Sequence, residues 1–375
     1  MNHLRSVNCK SAKRNGPSNI IKGSVFALIF ALGVGSAPIA AKSPSCTAAH
    51  AQAQIDGGRY DLALREFTCV IDADPTGVEG YRGRIEAELL LGHYSDSVRD
   101  YARVTAFVEP VHPDAQNTIL GGYAARLKLA PDALPALTGM SFARWWYFDY
   151  TGAIHVLNRL VQIRPGDVFA NLFRGSSRLL QGVSHDDGVI DIERALTLDP
   201  LNAHVRYVVA DAYTYGLADP ERAFSEATLA LQWGLDTPRI HAILANAYFA
   251  FGDQPAAAAE IAEHFELVTT ELIQTTALAA GTSLALNLVP GRSFEVPITV
   301  SAGQTLSIAT SSPSKEIYDS IAVLLAADGT PMIGADDANK YFAAFKWTAP
   351  ASGTYRLWVT SFESVNTGEL VVARD

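Results

Sequence analysis

A repeat of about 34 residues constrains the fold of this chain more than any other feature of its sequence. The stretch "GRYDLALREFTCVIDADP" (58–75) contains a turn residue, an amphipathic run and a final proline. The stretch "GHYSDSVRDYARVTAFVEP" (92–110) repeats this pattern 34 residues later, and similar stretches end at Pro165 and Pro200. Apolar residues at helical spacing within a repeat of this length predict stacked pairs of helices.

The residue types inside the repeat have physical reasons. Small residues such as Ala63 allow two helices to approach closely, and aromatic residues such as Tyr60 fill the space between units. A proline ends each second helix because it disfavours helical geometry in the residue before it. The pattern resembles the tetratricopeptide repeat, which implies an α–α superhelical solenoid over residues 42–270. About six units are expected, and residues 112–133 fit less well; the units are 44–77, 78–111, 134–167, 168–202, 203–236 and 237–267.

A second domain follows, in which the period of the apolar residues changes from helical to two. Runs such as "SFEVPITV" and "TYRLWVTSF" are separated by turn residues in "SAG", "ADGT" and "PASG". Six or seven such runs predict an antiparallel β-sandwich over residues 283–375, after a linker at 271–282. The element "TAPASGTYRLWVTSF" resembles the bacterial pre-peptidase C-terminal domain. That resemblance implies a sandwich related to carbohydrate- and collagen-binding modules and not an activity, because no peptidase precedes it.

The first 41 residues are expected to be a secretory signal. Five basic residues and no acidic residue surround the apolar run "VFALIFALGV", and the small residues "GSAPIAA" follow. A cut after Ala41 is predicted, and an uncleaved anchor is the alternative. Removing this segment changes the net charge from −10 to about −15. A strongly acidic chain is unsuited to nucleic acid or anionic membrane surfaces. The signal predicts an exported periplasmic or extracellular protein, and no later segment is long and apolar enough for membrane insertion.

Two cysteines remain after the signal, Cys46 and Cys69. They lie at the start of the first helix and near the end of the second helix of the first unit. Those two ends are neighbours in an antiparallel hairpin, so a disulfide is predicted. Two buried thiols are the alternative.

No catalytic motif is found in the sequence. The HExxH, GxSxG and glycine-rich phosphate-loop patterns are missing, so the chain is not expected to be an enzyme or to need a cofactor. A structural calcium ion is a candidate at Asp319, Asp336 and Asp337, with Glu316 nearby, because carboxylate oxygens suit Ca²⁺. A polar loop without metal is the alternative.

A partner-binding face is expected on the concave side of the solenoid, which the first helix of each unit lines. Helical register places aromatic and polar residues on or near that face, namely Arg82, Glu86, Phe142, Trp145, Trp146, Tyr207, Asp211, Tyr215 and Asn246. Such a row suits a peptide or protein segment. Core packing between units is the alternative, above all for "RWWYF" (144–148).

The sequence therefore favours an exported, non-enzymatic interaction or scaffold protein that binds a peptide or protein through the repeat groove. The alternative function is carbohydrate or cell-envelope binding through the sandwich. Trp347, Tyr355 and Trp358 are the aromatic candidates for stacking on sugars in that case, although strand alternation places some of them in the core.

Overall fold

The computed structural model describes residues 46–375 except 110–111, 290, 314–318, 337–341 and 362–367. The predicted signal segment at 1–41 lies outside the described residues. None of the helices in the described part combines the length and the apolar character that a membrane span requires.

The chain is helical from Ala48 to Val268. The helices are α1 (Ala48–Asp56), α2 (Tyr60–Ala73), α3 (Val78–Leu91), α4 (Tyr94–Arg103), α5 (Ala115–Leu129), α6 (Leu134–Trp146), α7 (Tyr150–Ile163), α8 (Val168–Gln181), α9 (His185–Leu198), α10 (Ala203–Ala212), α11 (Pro220–Gln232), α12 (Pro238–Phe251) and α13 (Gln254–Val268). A π-helical turn follows α4 at Val104–Val108, and another follows α10 at Tyr213–Leu217. Many helices begin at a polar cap; before α8, for example, the Asp167 carboxylate accepts the Ala170 N–H at 2.9 Å.

Six helix pairs form the predicted tetratricopeptide-type solenoid. Each first helix packs against its own second helix and against the second helix of the preceding unit. The pairs are α1–α2, α3–α5, α6–α7, α8–α9, α10–α11 and α12–α13.

The second unit differs from the prediction of 78–111. Its second helix is α5, from the poorly fitting segment 112–133, because α5 packs between α3 and α6. The same close approach occurs between α2 and α3 and between α5 and α6: a Cβ on Gly83 would lie 2.0 Å from the Phe67 ring, and a Cβ on Gly139 would lie 2.3 Å from the Tyr123 ring. Tyr123 of α5 therefore has the role that Phe67 has in α2. Helix α4 is an insertion.

The β part consists of two sheets. The strands are β1 (Glu271–Gln274), β2 (Thr282–Leu288), β3 (Arg292–Val300), β4 (Thr305–Ser311), β5 (Ser320–Leu325), β6 (Pro331–Ala335), β7 (Ala344–Thr348), β8 (Gly353–Ser361) and β9 (Gly368–Arg374). One sheet has the order β1-β3-β8-β5-β6 and the other the order β2-β9-β4-β7. Among the described strands, neighbours pair antiparallel except β1 with β3. Their facing sides form an apolar core, as expected for a sandwich.

The segment at 271–282 does not behave as a simple linker. Residues 271–274 form β1, which pairs in parallel with β3 from Glu271 opposite Arg292 to Gln274 opposite Glu295. The strand gives hydrogen-bonding partners to the edge of β3, which would otherwise be open.

The five-stranded sheet also packs against the last helix of the solenoid. Strand β5 is buried on both faces, because Ala322 and Leu324 face the sandwich core while its alternate residues face α13. On the solenoid side, Ile261 and Phe265 of α13 meet Trp358 of β8 in one apolar cluster. The sandwich thus covers the apolar end that a terminal repeat leaves exposed.

Candidate functional site

Helix α4 lies across the first helices of several units, and aromatic side chains hold it there. The ring of Tyr94 packs edge-on against Phe173 of α8, with ring centres 5.4 Å apart. The ring of Tyr101 stacks on Trp146 of α6 at 5.5 Å. Both tyrosines are almost fully buried. The chain thereby places one of its own helices among the aromatic residues of the repeats.

Two polar contacts fix the position of α4. Arg84 of α3 donates to both carboxylate oxygens of the fully buried Asp100. At the other end, Nδ1 of His204 in α10 accepts the Ser95 N–H at 3.4 Å and lies 2.9 Å from Ser95 Oγ. Burial lowers the pKa of His204, which keeps the imidazole neutral, as its acceptor role at Nδ1 requires. The His93 ring stacks on His204 at 5.6 Å.

Helix α4 touches the first helices of four consecutive units, α3, α6, α8 and α10. The first helices of stacked repeats line the concave side of a solenoid, so α4 lies on that side. The ten residues of α4 extend only about 15 Å, and the curvature of the row brings all four first helices within reach of its side chains.

A cavity of about 1080 Å³ remains on this concave face beside α4. One wall is a stripe of α4 and the turn after it, with a spacing of three or four residues, formed by Ser95, Val98, Arg99, Ala102, Thr105 and Glu109. The opposite wall is rich in aromatic rings and includes Trp145, Trp146, Tyr147, Phe148, Tyr150, Tyr207 and Tyr215. The first turn of α12 and the end of α13 close one end. We call this space the α4 groove.

Four charged groups of the α4 groove form two pairs within its walls. Arg239 Nε donates to Asp211 Oδ1 at 2.8 Å, and its guanidinium lies 4.5 Å from the centre of the Tyr215 ring. On the α4 side, Arg99 and Asp96 form an ion pair at 2.8 Å. Because these charges compensate each other, aromatic and apolar surface dominates what the groove offers to a ligand.

Two tyrosines of the groove remain protonated hydrogen-bond donors at neutral pH. Burial and the nearby Asp211 carboxylate raise the pKa of Tyr150 to about 12. Burial and the Glu109 carboxylate also raise the pKa of Tyr147, whose hydroxyl donates to Glu109 Oε1 at 3.0 Å. The Tyr150 phenol can therefore donate to a ligand without carrying charge, whereas the Tyr147 hydroxyl already donates to Glu109.

The structure brings together five of the nine residues predicted for the partner-binding face. The α4 groove is lined by Trp145, Trp146, Tyr207, Asp211 and Tyr215. The Asn246 amide lies next to the groove and donates to the Tyr215 hydroxyl at 3.4 Å.

The other three predicted residues lie elsewhere. Glu86 is fully buried and accepts two hydrogen bonds from Arg126, at 2.7 and 2.6 Å; burial raises the pKa of its carboxyl against the opposing effect of Arg126. Arg82 is almost buried; it donates to Glu79 of its own helix at 3.0 Å, and its guanidinium lies 5.6 Å from the centre of the Tyr123 ring of α5. Phe142 is fully buried under α4, against Tyr101. These three side chains hold helices together instead of lining the groove.

Sequence reasoning missed the contribution of α4 and of the turn after α6. Thr105 and the exposed Phe148 line the groove but were not predicted. A signal for Phe148 exists in the sequence, because the corresponding turns after other first helices contain glycine, as at Gly58 and Gly252. The groove side of α4 carried no such signal, since an amphipathic second helix would look the same.

The remaining predicted sites lie outside the groove. Cys46 and Cys69 form a disulfide with their Cα atoms 5.8 Å apart, which links the N-terminal end of the described chain to α2. Of the calcium candidates, Asp319 and Asp336 are described, whereas Asp337 and Glu316 lie outside the described residues. No group of three or more potential metal ligands occurs in the part of the chain that was described.

The three aromatic residues proposed for sugar stacking are engaged in packing. Tyr355 is 7% exposed, and Trp347 packs edge-on against it at 4.9 Å. The indole N–H of Trp358 donates to Glu295 Oε2 at 2.8 Å, and its ring packs near Phe265 of α13. Tyr355 is thus buried, whereas Trp347 and Trp358 are partly buried.

Comparison with known proteins gives matches among solved structures. A tetratricopeptide repeat protein from Parabacteroides merdae shares 14% identity over 59% of this chain and 77% of its own, with a TM-score of 0.39. MamA of Desulfovibrio magneticus shares 18% identity over 45% and 94%, with a TM-score of 0.35. The pre-peptidase C-terminal domain of a Bacillus anthracis collagenase shares 13% identity over 28% and 94%, with a TM-score of 0.23. No protein-family model and no curated protein matches the chain. The fold assignment rests on the helix pairs and strand register of the chain itself.

Proposed function

We propose that this protein is an exported, non-enzymatic interaction protein that binds a polypeptide segment in the α4 groove. The observation that carries the proposal is the seating of α4. The concave face of the repeats already holds a helix of the chain, with Tyr94 and Tyr101 inserted among aromatic rings. The α4 groove continues that surface and is lined by the same residue types, so a polypeptide from a partner fits the chemistry that α4 uses.

The groove is large enough for a polypeptide segment. Its volume of about 1080 Å³ lies at the upper end of the range of about 300–1,000 Å³ that is usual for small-molecule pockets. A helix about 10 Å wide that rises 1.5 Å per residue would fill it with about two turns. Helix-in-groove binding of this kind uses apolar anchors at helical spacing, which the aromatic wall can accept.

Export is part of the proposal. It is supported by the basic, apolar and small-residue pattern of residues 1–41 and by the Cys46–Cys69 disulfide, a bond that persists in oxidising compartments. N-terminal sequencing of the secreted protein tests this part. An N-terminus near residue 42 supports it, whereas an intact Met1 in the cytosol contradicts it.

The binding proposal is tested with random dodecapeptides displayed on phage and selected on the immobilised chain from residue 42 onward. Enriched peptides are synthesised, and their affinities are measured for wild type and two variants. Thr105→Arg places a long cation in the groove at an exposed position of the lining. Leu129→Arg adds the same side chain at the exposed end of α5, outside the groove.

We expect Thr105→Arg to weaken peptide binding at least about tenfold, a loss of about 1.4 kcal/mol, and Leu129→Arg to leave it unchanged. Selection that enriches no peptide, or peptides that bind both variants like wild type, would refute the proposal. An oligosaccharide array is probed in parallel. If no peptide binds, and a glycan binds to wild type but not to Thr105→Arg, the ligand of the groove is a carbohydrate and not a polypeptide.

A further inference from the structure

The turn after the first helix of each unit passes through one residue with positive φ. In four units this residue is glycine, which adopts the left-handed region at no steric cost. The residues and their φ angles are Gly58 (72°), Gly92 (79°), Phe148 (60°), Gly182 (73°), Ala218 (52°) and Gly252 (77°). Phe148 and Ala218 therefore stand where the fold favours glycine.

Phe148 is unfavourable at this position for two reasons. Its Cβ destabilises the left-handed conformation, as it does for any residue other than glycine. Phe148 is also 78% exposed to water, so burial of its side chain contributes little to the stability of the fold. Within the described contacts the ring meets Tyr150 edge-on, at 6.2 Å between centres. The structure of the repeats alone gives no reason for a phenylalanine here.

The location of Phe148 supplies such a reason. Phe148 lines the mouth of the α4 groove, next to Tyr150, whereas Ala218 is not among the lining residues. Residues held in a strained conformation cluster at binding sites, where the surroundings hold a side chain ready for its ligand. An exposed phenylalanine has no charge and no polar group of its own, so its main contribution to binding is the apolar surface that a ligand can cover.

We infer that Phe148 is an anchoring contact that selects polypeptides with an aromatic or branched aliphatic side chain at this end of the groove; the inference rests on the function proposed above. Binding would cover the exposed ring together with the apolar side chain of the ligand. Burial of a side chain of this size corresponds to a change in affinity of about 10- to 100-fold.

The test compares Phe148→Gly with the matched variant Ala218→Gly. Both substitutions remove a Cβ from a left-handed residue, so both should raise the midpoint of thermal unfolding, by about 1–3 °C. The dodecapeptide selected on wild type should bind Ala218→Gly normally and Phe148→Gly about 10- to 100-fold more weakly. Phe148→Leu should restore part of the affinity, because leucine keeps an apolar side chain.

A double-mutant cycle identifies the ligand side chain. For one apolar residue of the peptide, replacement by alanine should weaken binding to wild type but not to Phe148→Gly. That residue is the one that contacts the Phe148 ring. Equal peptide affinity of Phe148→Gly and wild type would overturn the inference while the proposed function stands. A fall in thermal stability for Phe148→Gly, with a rise for Ala218→Gly, would also overturn it, because the ring would then support the fold. Failure of peptide selection on wild type instead refutes the proposed function.

Discussion

Replacing Gly139 by alanine tests the assignment of α5 as the second helix of the second unit. The new Cβ would lie 2.3 Å from Cε1 and Cζ of Tyr123, whereas carbon atoms in contact keep a separation of about 3.5–4.0 Å. The Tyr123 ring cannot move aside easily. It is fully buried, and its hydroxyl donates to the Arg82 carbonyl at 3.2 Å.

The expected magnitude follows from two opposing contributions. Overpacking of a buried site costs about 1–3 kcal/mol, and an overlap of more than 1 Å with an anchored ring places Gly139→Ala in the upper part of that range. Alanine returns up to about 1 kcal/mol through its higher helix propensity. We therefore expect a net destabilisation of about 1–2 kcal/mol. The control Gly121→Ala lies in α5 with open space around its Cβ, so it should stabilise by about 0.5–1 kcal/mol.

The measurement is equilibrium unfolding in urea, followed by far-ultraviolet circular dichroism. The proteins are wild type, Gly139→Ala, Gly121→Ala, Tyr123→Leu and the double variant of Gly139→Ala with Tyr123→Leu. The smaller leucine should relieve the overlap, so the double variant should be more stable than the sum of the single effects predicts. If Gly139→Ala is as stable as Gly121→Ala, α5 does not pack here and the pairing of the second unit is wrong.

Three further outcomes are expected. Replacing Cys46 and Cys69 by serine should lower the stability of the first unit by about 3 kcal/mol, by the loop-entropy estimate, which amide hydrogen exchange in α1 and α2 measures; unchanged exchange would contradict it. Trp358→Ala should lower the stabilising free energy of the contact between the sandwich and α13 by about 2–3 kcal/mol. Calorimetry should then show separate unfolding transitions of the sandwich and the solenoid in place of one. The pKa of His204 is lowered by burial in the fold, so its contribution to stability is present above its unfolded pKa of about 6.5 and is lost as the pH falls below it. His204→Asn keeps an acceptor for Ser95 without titrating, and it should flatten the pH dependence of thermal unfolding between about pH 7 and pH 5; an unchanged slope would exclude His204 as its source.

The repeat architecture could be predicted from the sequence because its period, small residues and proline stops are local signals. The exchange of α4 and α5 could not, since α4 is the amphipathic helix that matches the repeat pattern, and only long-range contacts show that α5 pairs with α3. One spacing in the sequence does indicate that α5 is a second helix like α2. Tyr123 precedes Gly139 by the same interval by which Phe67 precedes Gly83.

The residues that line the α4 groove, the candidate site, could likewise be predicted only in part. Helical register identifies the face of a first helix, and it correctly places Tyr207 and Tyr215 in the lining of the groove. It cannot show that an inserted helix covers Phe142, or that Arg126 from a later helix buries Glu86. Strand β1 was missed because four residues are too few to show a period of two.

The inserted helix also changes how the solenoid should fold and tolerate variation in length. In a simple solenoid each repeat contacts its neighbours, so repeats can unfold one after another or be added and deleted. Here α4 links units two to five, for example through Ser95 and His204, which are 109 residues apart in the chain. These four units should consequently unfold together rather than from one end. Deleting any unit between them would move His204 out of reach of α4, so this insertion fixes the number of repeats between α3 and α10.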